Sequence, residues 1–173
     1  MKNEALEVLK NRRSIRKFKS EQVKAEELLA VLEAGTYAPT GKNMQTPVII
    51  AVQGPEDRQA VARLNAKVMG SDTDPYYGAP TIILVLAADD SFAELNGAAV
   101  TTNMLNAAYA AGLGSCWINR PQEMFRMDEG KALLRKWGMD ESLVGVASIA
   151  LGYADCENPA PAPRKGNYYT IIK

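Results

Sequence analysis

A mixed α and β domain, α/β or α+β, is the fold class this sequence predicts. Three observations carry it. Mainly apolar runs at 48–52, 81–86 and 144–151 have the length of buried strands. Longer segments between them space their apolar residues at helical period. The 173 residues contain no internal repeat and no linker, so a single domain over 1–173 accommodates every element.

Residues 4–11 place Ala5, Leu6 and Leu9 on one face of a short helix. Residues 25–34 do the same with Leu28, Leu29 and Leu32, and Gly35 is placed to stop that helix. Residues 37–47 are a loop by composition, and 48–52 a buried strand. Pro55 opens a helix to about Val68, with Val61, Leu64 and Val68 along one side. Residues 72–78 form a loop before the strand at 81–86. Asp90 or Ser91 is placed to cap a helix reaching about Ala111. That helix is rich in Ala and Gly, which admit close approach by a backbone or a planar ligand. Gly112 and Gly114 end it, and Cys116–Ile118 follows as a strand. A helix at 128–137 and a strand at 144–151 complete a set of four or five strands and five helices. Residues 159–173 read as an extended arm, because its prolines exclude a helix. The arm ends in the strand-like run Tyr168–Ile172. Left exposed, such a run is an unpaired edge, so docking on another subunit is favoured over pairing at home.

Composition removes several functions. The 20 basic and 20 acidic side chains cancel, without the basic surplus of a nucleic-acid binder. There is no histidine, which excludes Ser-His-Asp and Cys-His catalysis and His-ligated metals. If the chain is an enzyme, a bound organic cofactor is the first candidate for its difficult chemistry. Two cysteines, Cys116 and Cys156, make neither a zinc site nor a disulfide framework, so no metal is expected. The charged, amphipathic segment at 1–13 is unlike a signal sequence, and no apolar run approaches the ~20 residues of a membrane span. A soluble, cytoplasmic protein is the expectation.

Two motifs mislead. Gly35–Asn43 has the look of a phosphate-binding P-loop, but five residues separate its glycines and Asn43 replaces the magnesium-binding hydroxyl. Gly112–Trp117 starts like a dinucleotide fingerprint, but follows a helix and has Trp117 at the third glycine.

One constellation survives. Arg12-Arg-Ser-Ile-Arg-Lys-Phe18 puts three guanidiniums and the Ser14 hydroxyl within five positions. Guanidinium forks match phosphate oxygens, and Ile15 and Phe18 are spaced to anchor the segment inward. The bland reading is a solvated basic turn at a helix C-terminus. Pro39-Thr-Gly-Lys-Asn-Met-Gln45 adds neutral donors and acceptors at Thr40, Asn43 and Gln45, with close backbone approach at Gly41. Arg164 and Lys165 add charge after the proline arm. Together these suit a phosphorylated planar cofactor.

In order and spacing, these segments resemble the flavin-dependent nitroreductase family. The likeness rests on Arg12–Phe18, Pro39–Gln45, Tyr77–Pro80, Asn103–Ala108, Gly112–Ile118, Leu151–Tyr153 and Pro163–Lys165, and spans nearly the whole chain. It implies an α+β fold: a mixed, mostly antiparallel sheet of four to five strands flanked by helices. It also implies a homodimer in which the C-terminal strand is exchanged. FMN is the implied cofactor, with NADH or NADPH as hydride donor and a nitroaromatic, quinone or similar small molecule as acceptor, in a ping-pong cycle. Carried over, Arg12, Arg13, Ser14 and Arg16 surround the FMN phosphate, with Arg164 and Lys165 completing that site. Pro39, Thr40, Gly41, Asn43 and Gln45 contact the ribityl chain and ring, from the loop of the other subunit. Trp117, Ile118 and Asn119 lie against the ring and offer backbone N–H groups. Tyr76, Tyr77 and Arg120 are candidate substrate contacts, although tyrosines ahead of a strand more often pack in a core. No catalytic side chain is expected, since the chemistry is the flavin's. Asn119-Arg120 stand where the family often has glycines, and Thr46-Pro47 and Ala162 also depart from its pattern. A flavin-binding protein without efficient turnover, and an anion-binding module built on Lys10–Lys19, are the alternatives.

Overall fold

The apolar run Thr81–Ala87 forms β2, with every residue buried. In the computed structural model, which describes residues 3–173, it is an inner strand of a four-stranded sheet. The order is β1 (Val48–Val52), β2, β4 (Val144–Gly152) and β3 (Gly114–Ile118). All three pairings are antiparallel, with Ile50 opposite Leu84, Ile83 opposite Ile149, and Cys116 opposite Ala150.

A strand buried on both faces needs apolar residues at every position, which explains the unbroken run. Ile82, Leu84 and Leu86 face one layer, with Val61, Leu64, Met124, Phe125 and Leu134. That layer holds helices α3 (Pro55–Met69), α5 (Pro121–Arg126) and α6 (Asp128–Lys136). Ile83 and Val85 face the other, with Leu28, Val31, Val100 and Met104 of α2 (Ala25–Thr36) and α4 (Ala93–Ala110). Helix α1 (Glu4–Asn11) buries no residue, and its N-terminus is capped by Asn3, whose side chain accepts from the Ala5 and Leu6 amides. The small residues of α4 have a steric reason: a β-carbon at Gly97 would stand 2.6 Å from the Val146 side chain.

The structure is α+β, as expected, and departs from the expected elements in four places. Gly35 lies inside α2, facing Met104, and the helix ends at Thr36 instead, with Tyr37 following it. Its missing β-carbon serves packing, since one would meet Met104 at 2.8 Å. The residue flanking α4 is Phe92, and Asp90 instead accepts from the Phe92 amide in the turn before it. The six-residue α5 is an addition to the expected helices, being too short to show a period. Tyr168–Ile172 forms no strand within its own chain and lies exposed. Met1 and Lys2, part of the N-terminal segment read as amphipathic, lie outside the described residues.

Candidate functional site

The basic segment is fixed along the free edge of β3. Ser14 bridges Ser115 in parallel, and the Ile15 amide donates to the Ser115 carbonyl at 2.9 Å. Ile15 is buried, and Phe18 bridges Ala154 beyond β4. Gly114 permits this approach, since a β-carbon there would meet Ile15 at 3.0 Å. The sequence alternates anchor and donor, so burying Ile15 leaves Arg12, Ser14 and Arg16 outside the core.

Charge pairing sorts the cations. Lys17 binds Asp155 at 2.9 Å, which raises the lysine pKa and lowers that of the aspartate. Lys10 binds Glu7 at 2.5 Å. Among the described residues, Arg12, Arg13 and Arg16 pair with no carboxylate. Arg13 is held by its own turn, donating from Nη1 to the carbonyls of Lys10 at 2.8 Å and Arg12 at 2.7 Å. Arg13 Nε and Ser115 Oγ are buried without a hydrogen-bond partner. Buried polar groups are normally satisfied, so this pair of orphans beside Ser14 is chemically unfinished. Three guanidiniums without a carboxylate partner, together with a hydroxyl, are a donor set that fits a phosphate monoester. Arg13 also shares an open groove with Arg164 and Lys165 of the arm, and Asn158 ties the start of the arm to the Asn11 carbonyl at 2.9 Å.

The Pro39–Gln45 loop is elsewhere. The Gly41 amide donates to Asn96 Oδ1 at 2.8 Å, and Asn96 reaches Thr46 at 3.4 Å. A β-carbon at Gly41 would meet the Phe92 ring at 2.7 Å. The loop therefore sits at the N-terminal end of α4, whereas Arg12–Arg16 lies near its C-terminal end, about 24 Å away along the helix rise. Within it, Thr40 Oγ1 accepts from the Gln45 amide at 3.0 Å and Gln45 donates to Asn43 at 3.1 Å. Lys42, Asn43 and Gln45 all have positive φ. Pro39, Asn43 and Gln45 are exposed. One chain thus brings the arginines to β3 and holds the polar loop apart.

The end of β3 presents Trp117 and Asn119 to solvent, while the Ile118 side chain is buried and leaves only its main chain to offer. Arg120 has φ 82° and donates from Nε to Asn65 at 2.9 Å. Tyr77 is exposed, at φ 56°. Tyr76 is a correction: it is fully buried, its hydroxyl bonded to Ser148 and Asn65, and it has no surface to offer a substrate. Burial pushes its pKa up to about 12. Sequence reasoning passes over Asn65, Asn96 and Ser148. Two of them leave a signal: Asn65 interrupts the apolar side of α3 marked by Val61 and Val68, and Ser148 interrupts the apolar run of β4.

Among the described residues no helix is long and apolar enough to cross a membrane, and no group of three His, Cys, Asp or Glu is placed to hold a metal.

This helix-flanked sheet, with a basic segment on its edge strand, defines the class. The model of the nitroreductase family matches residues 9–153, and the chain belongs to that family. A nitroreductase from Bacteroides fragilis, solved with bound FMN, superposes with a TM-score of 0.91 at 30% identity, over 99% of this chain and 100% of that one. An FMN-bound nitroreductase from Desulfitobacterium hafniense gives 0.88 at 25% identity, over the same shares. A relative from Archaeoglobus fulgidus, named provisionally an NADH dehydrogenase/NAD(P)H nitroreductase, is 29% identical over 87% of this chain and 85% of its own.

Proposed function

We propose that the protein is an FMN-dependent NAD(P)H oxidoreductase that reduces nitroaromatic, quinone or similar small acceptors. The observation that carries this reading is the unpaired arginine and serine cluster on the β3 edge, with two buried polar atoms beside it lacking partners. Arg12, Arg13, Ser14 and Arg16 hold the FMN phosphate, joined by Arg164 and Lys165. When bound, FMN supplies hydride acceptance and release. The chain's part is to grip the phosphate, present main-chain groups at Trp117–Asn119 and leave an open face for donor and acceptor. The separation of Pro39–Gln45 from the arginines favours a homodimer in which Pro39, Thr40, Gly41, Asn43 and Gln45 complete the partner's site. Tyr168–Ile172 then docks on the partner. Tyr77 and Arg120 remain the substrate contacts of this reading.

The test is the visible spectrum of the purified protein, recorded anaerobically before and after NADH or NADPH. A yellow protein that bleaches supports the enzyme. Yellow without bleaching favours a flavin-binding protein without efficient turnover, and a colourless protein that takes up no FMN overturns the cofactor. Arg12→Ala with Arg16→Ala lowers FMN affinity by about a hundredfold or more while the far-ultraviolet dichroism is unchanged, as expected for losing two charge-assisted contacts. Deleting the residues after Pro163 shifts the light-scattering mass from dimer toward monomer; an unchanged dimer rejects the exchanged tail.

A further inference from the structure

We propose that Asn65 is a positioning residue, the hub of a buried hydrogen-bond chain that clamps the end of β3; its role toward FMN rests on the cofactor reading above. Arg120 Nε donates to Asn65 Oδ1 at 2.9 Å. Arginine has no acceptor, so this bond fixes which end of the Asn65 amide is oxygen. Asn65 Nδ2 then donates to the Asn119 carbonyl at 2.9 Å and to the Tyr76 hydroxyl at 3.1 Å. Tyr76 donates onward to Ser148 Oγ at 3.0 Å, and Ser148 donates to the Ile118 carbonyl at 3.0 Å. Donors and acceptors agree along the whole path, which therefore runs in one direction.

Asn65, Tyr76 and Ser148 are each fully buried, and they come from α3, the loop before β2, and β4. Their bonds tie down three consecutive residues: the carbonyls of 118 and 119 and the side chain of 120. This is where the chain turns from β3 into α5, with Arg120 at φ 82°. A residue with a β-carbon occupies that conformation at a cost, and glycine is the usual solution. Here the arginine supplies what glycine lacks, a side chain that the core can hold. The tether draws the side chain toward α3 through its Nε. Main-chain groups that meet a planar cofactor must be preorganised, and this chain of buried bonds is the preorganising element.

The experiment compares the full-length protein with Asn65→Leu, which keeps the branched side-chain shape and removes every bond of the hub. Hydrogen–deuterium exchange reads the clamp directly and needs no cofactor. The amides of 118–120 are expected to exchange about tenfold faster in Asn65→Leu, with the rest of β3 and β4 unchanged. With FMN bound, the visible spectrum of the variant shifts and reduction by NADH slows about tenfold, while FMN affinity, set by the phosphate grip, stays within about threefold. Arg120→Gly in the same background restores slow exchange at 118–120, because glycine holds the turn without a tether. Should Asn65→Leu fail to fold, Tyr76→Phe breaks the chain at its middle and moves exchange and rate in the same directions. Unchanged exchange at 118–120 in a folded Asn65→Leu or Tyr76→Phe overturns the clamp. Faster exchange with an unaltered flavin spectrum and rate overturns its role toward FMN. Failure of the wild-type protein to bind FMN overturns the cofactor reading instead, and the exchange data still judge the clamp.

Discussion

The loop at 40–45 and the turn at 118–120 both keep non-glycine residues at positive φ, yet they are held in opposite ways. Lys42, Asn43 and Gln45 are exposed, and the side-chain bonds of the loop are mostly to one another and to Thr40. Arg120 is held by a path that crosses three elements and ends in the core. The first arrangement is local, so it can rearrange when a ligand or a second chain arrives. The second is set when the layers pack, so it is finished before any ligand binds. A single domain thus has an adaptable wall and a rigid one.

Breaking the rigid wall has the largest effect. Ser148→Ala leaves the Tyr76 hydroxyl without its acceptor and the Ile118 carbonyl without its side-chain donor, and lowers unfolding free energy in urea by about 2–4 kcal/mol. A loss below about 0.5 kcal/mol, the size of an ordinary surface change, removes the distinction between the two regions. The pH dependence of stability comes next. A free tyrosine titrates at 10.0, and burial pushes Tyr76 up to about 12. The folded state therefore resists losing this proton while the unfolded state releases it. Its contribution is complete below pH 10 and falls away as pH rises toward about 12, reaching roughly 3 kcal/mol. Comparing wild type with Tyr76→Phe across that window isolates this slope from other lysines and tyrosines. An identical slope in both proteins would mean the hydroxyl is not desolvated. The smallest effect belongs to the adaptable wall: Gln45→Gly relieves a φ of 52° and raises stability by roughly 0.5 kcal/mol, read as a small increase in melting temperature.

The same contrast explains what is legible in the sequence. The Arg12–Phe18 segment reads directly, because its chemistry and anchors alternate within one short stretch. The strand at 81–86 is equally plain, since burial on two faces forces an unbroken apolar run. The clamp is not legible, because its members lie at 65, 76, 120 and 148 and meet only when α3 packs on the sheet. Tyr76 passes for a possible substrate contact for that reason: nothing in its neighbourhood of the chain shows that its hydroxyl is already bonded to Ser148. Gly35 misleads in the opposite sense, its position suggesting a helix stop while the structure uses its smallness against Met104. Local patterns report periodicity and anchors, whereas close approaches and buried polar paths are properties of the packed layers.

The exposed arm has a consequence for abundance. Tyr168, Tyr169, Ile171 and Ile172 are each more than 70% exposed in the single chain. On the dimer reading, the water around those side chains is released only when a second copy is present, so association is a matter of mass action. Dilution then does what a mutation would: it returns the tail to solvent and takes the polar loop away from the other chain's arginines. The number of copies a cell makes becomes a control on how many complete sites exist, rising more steeply than the number of chains.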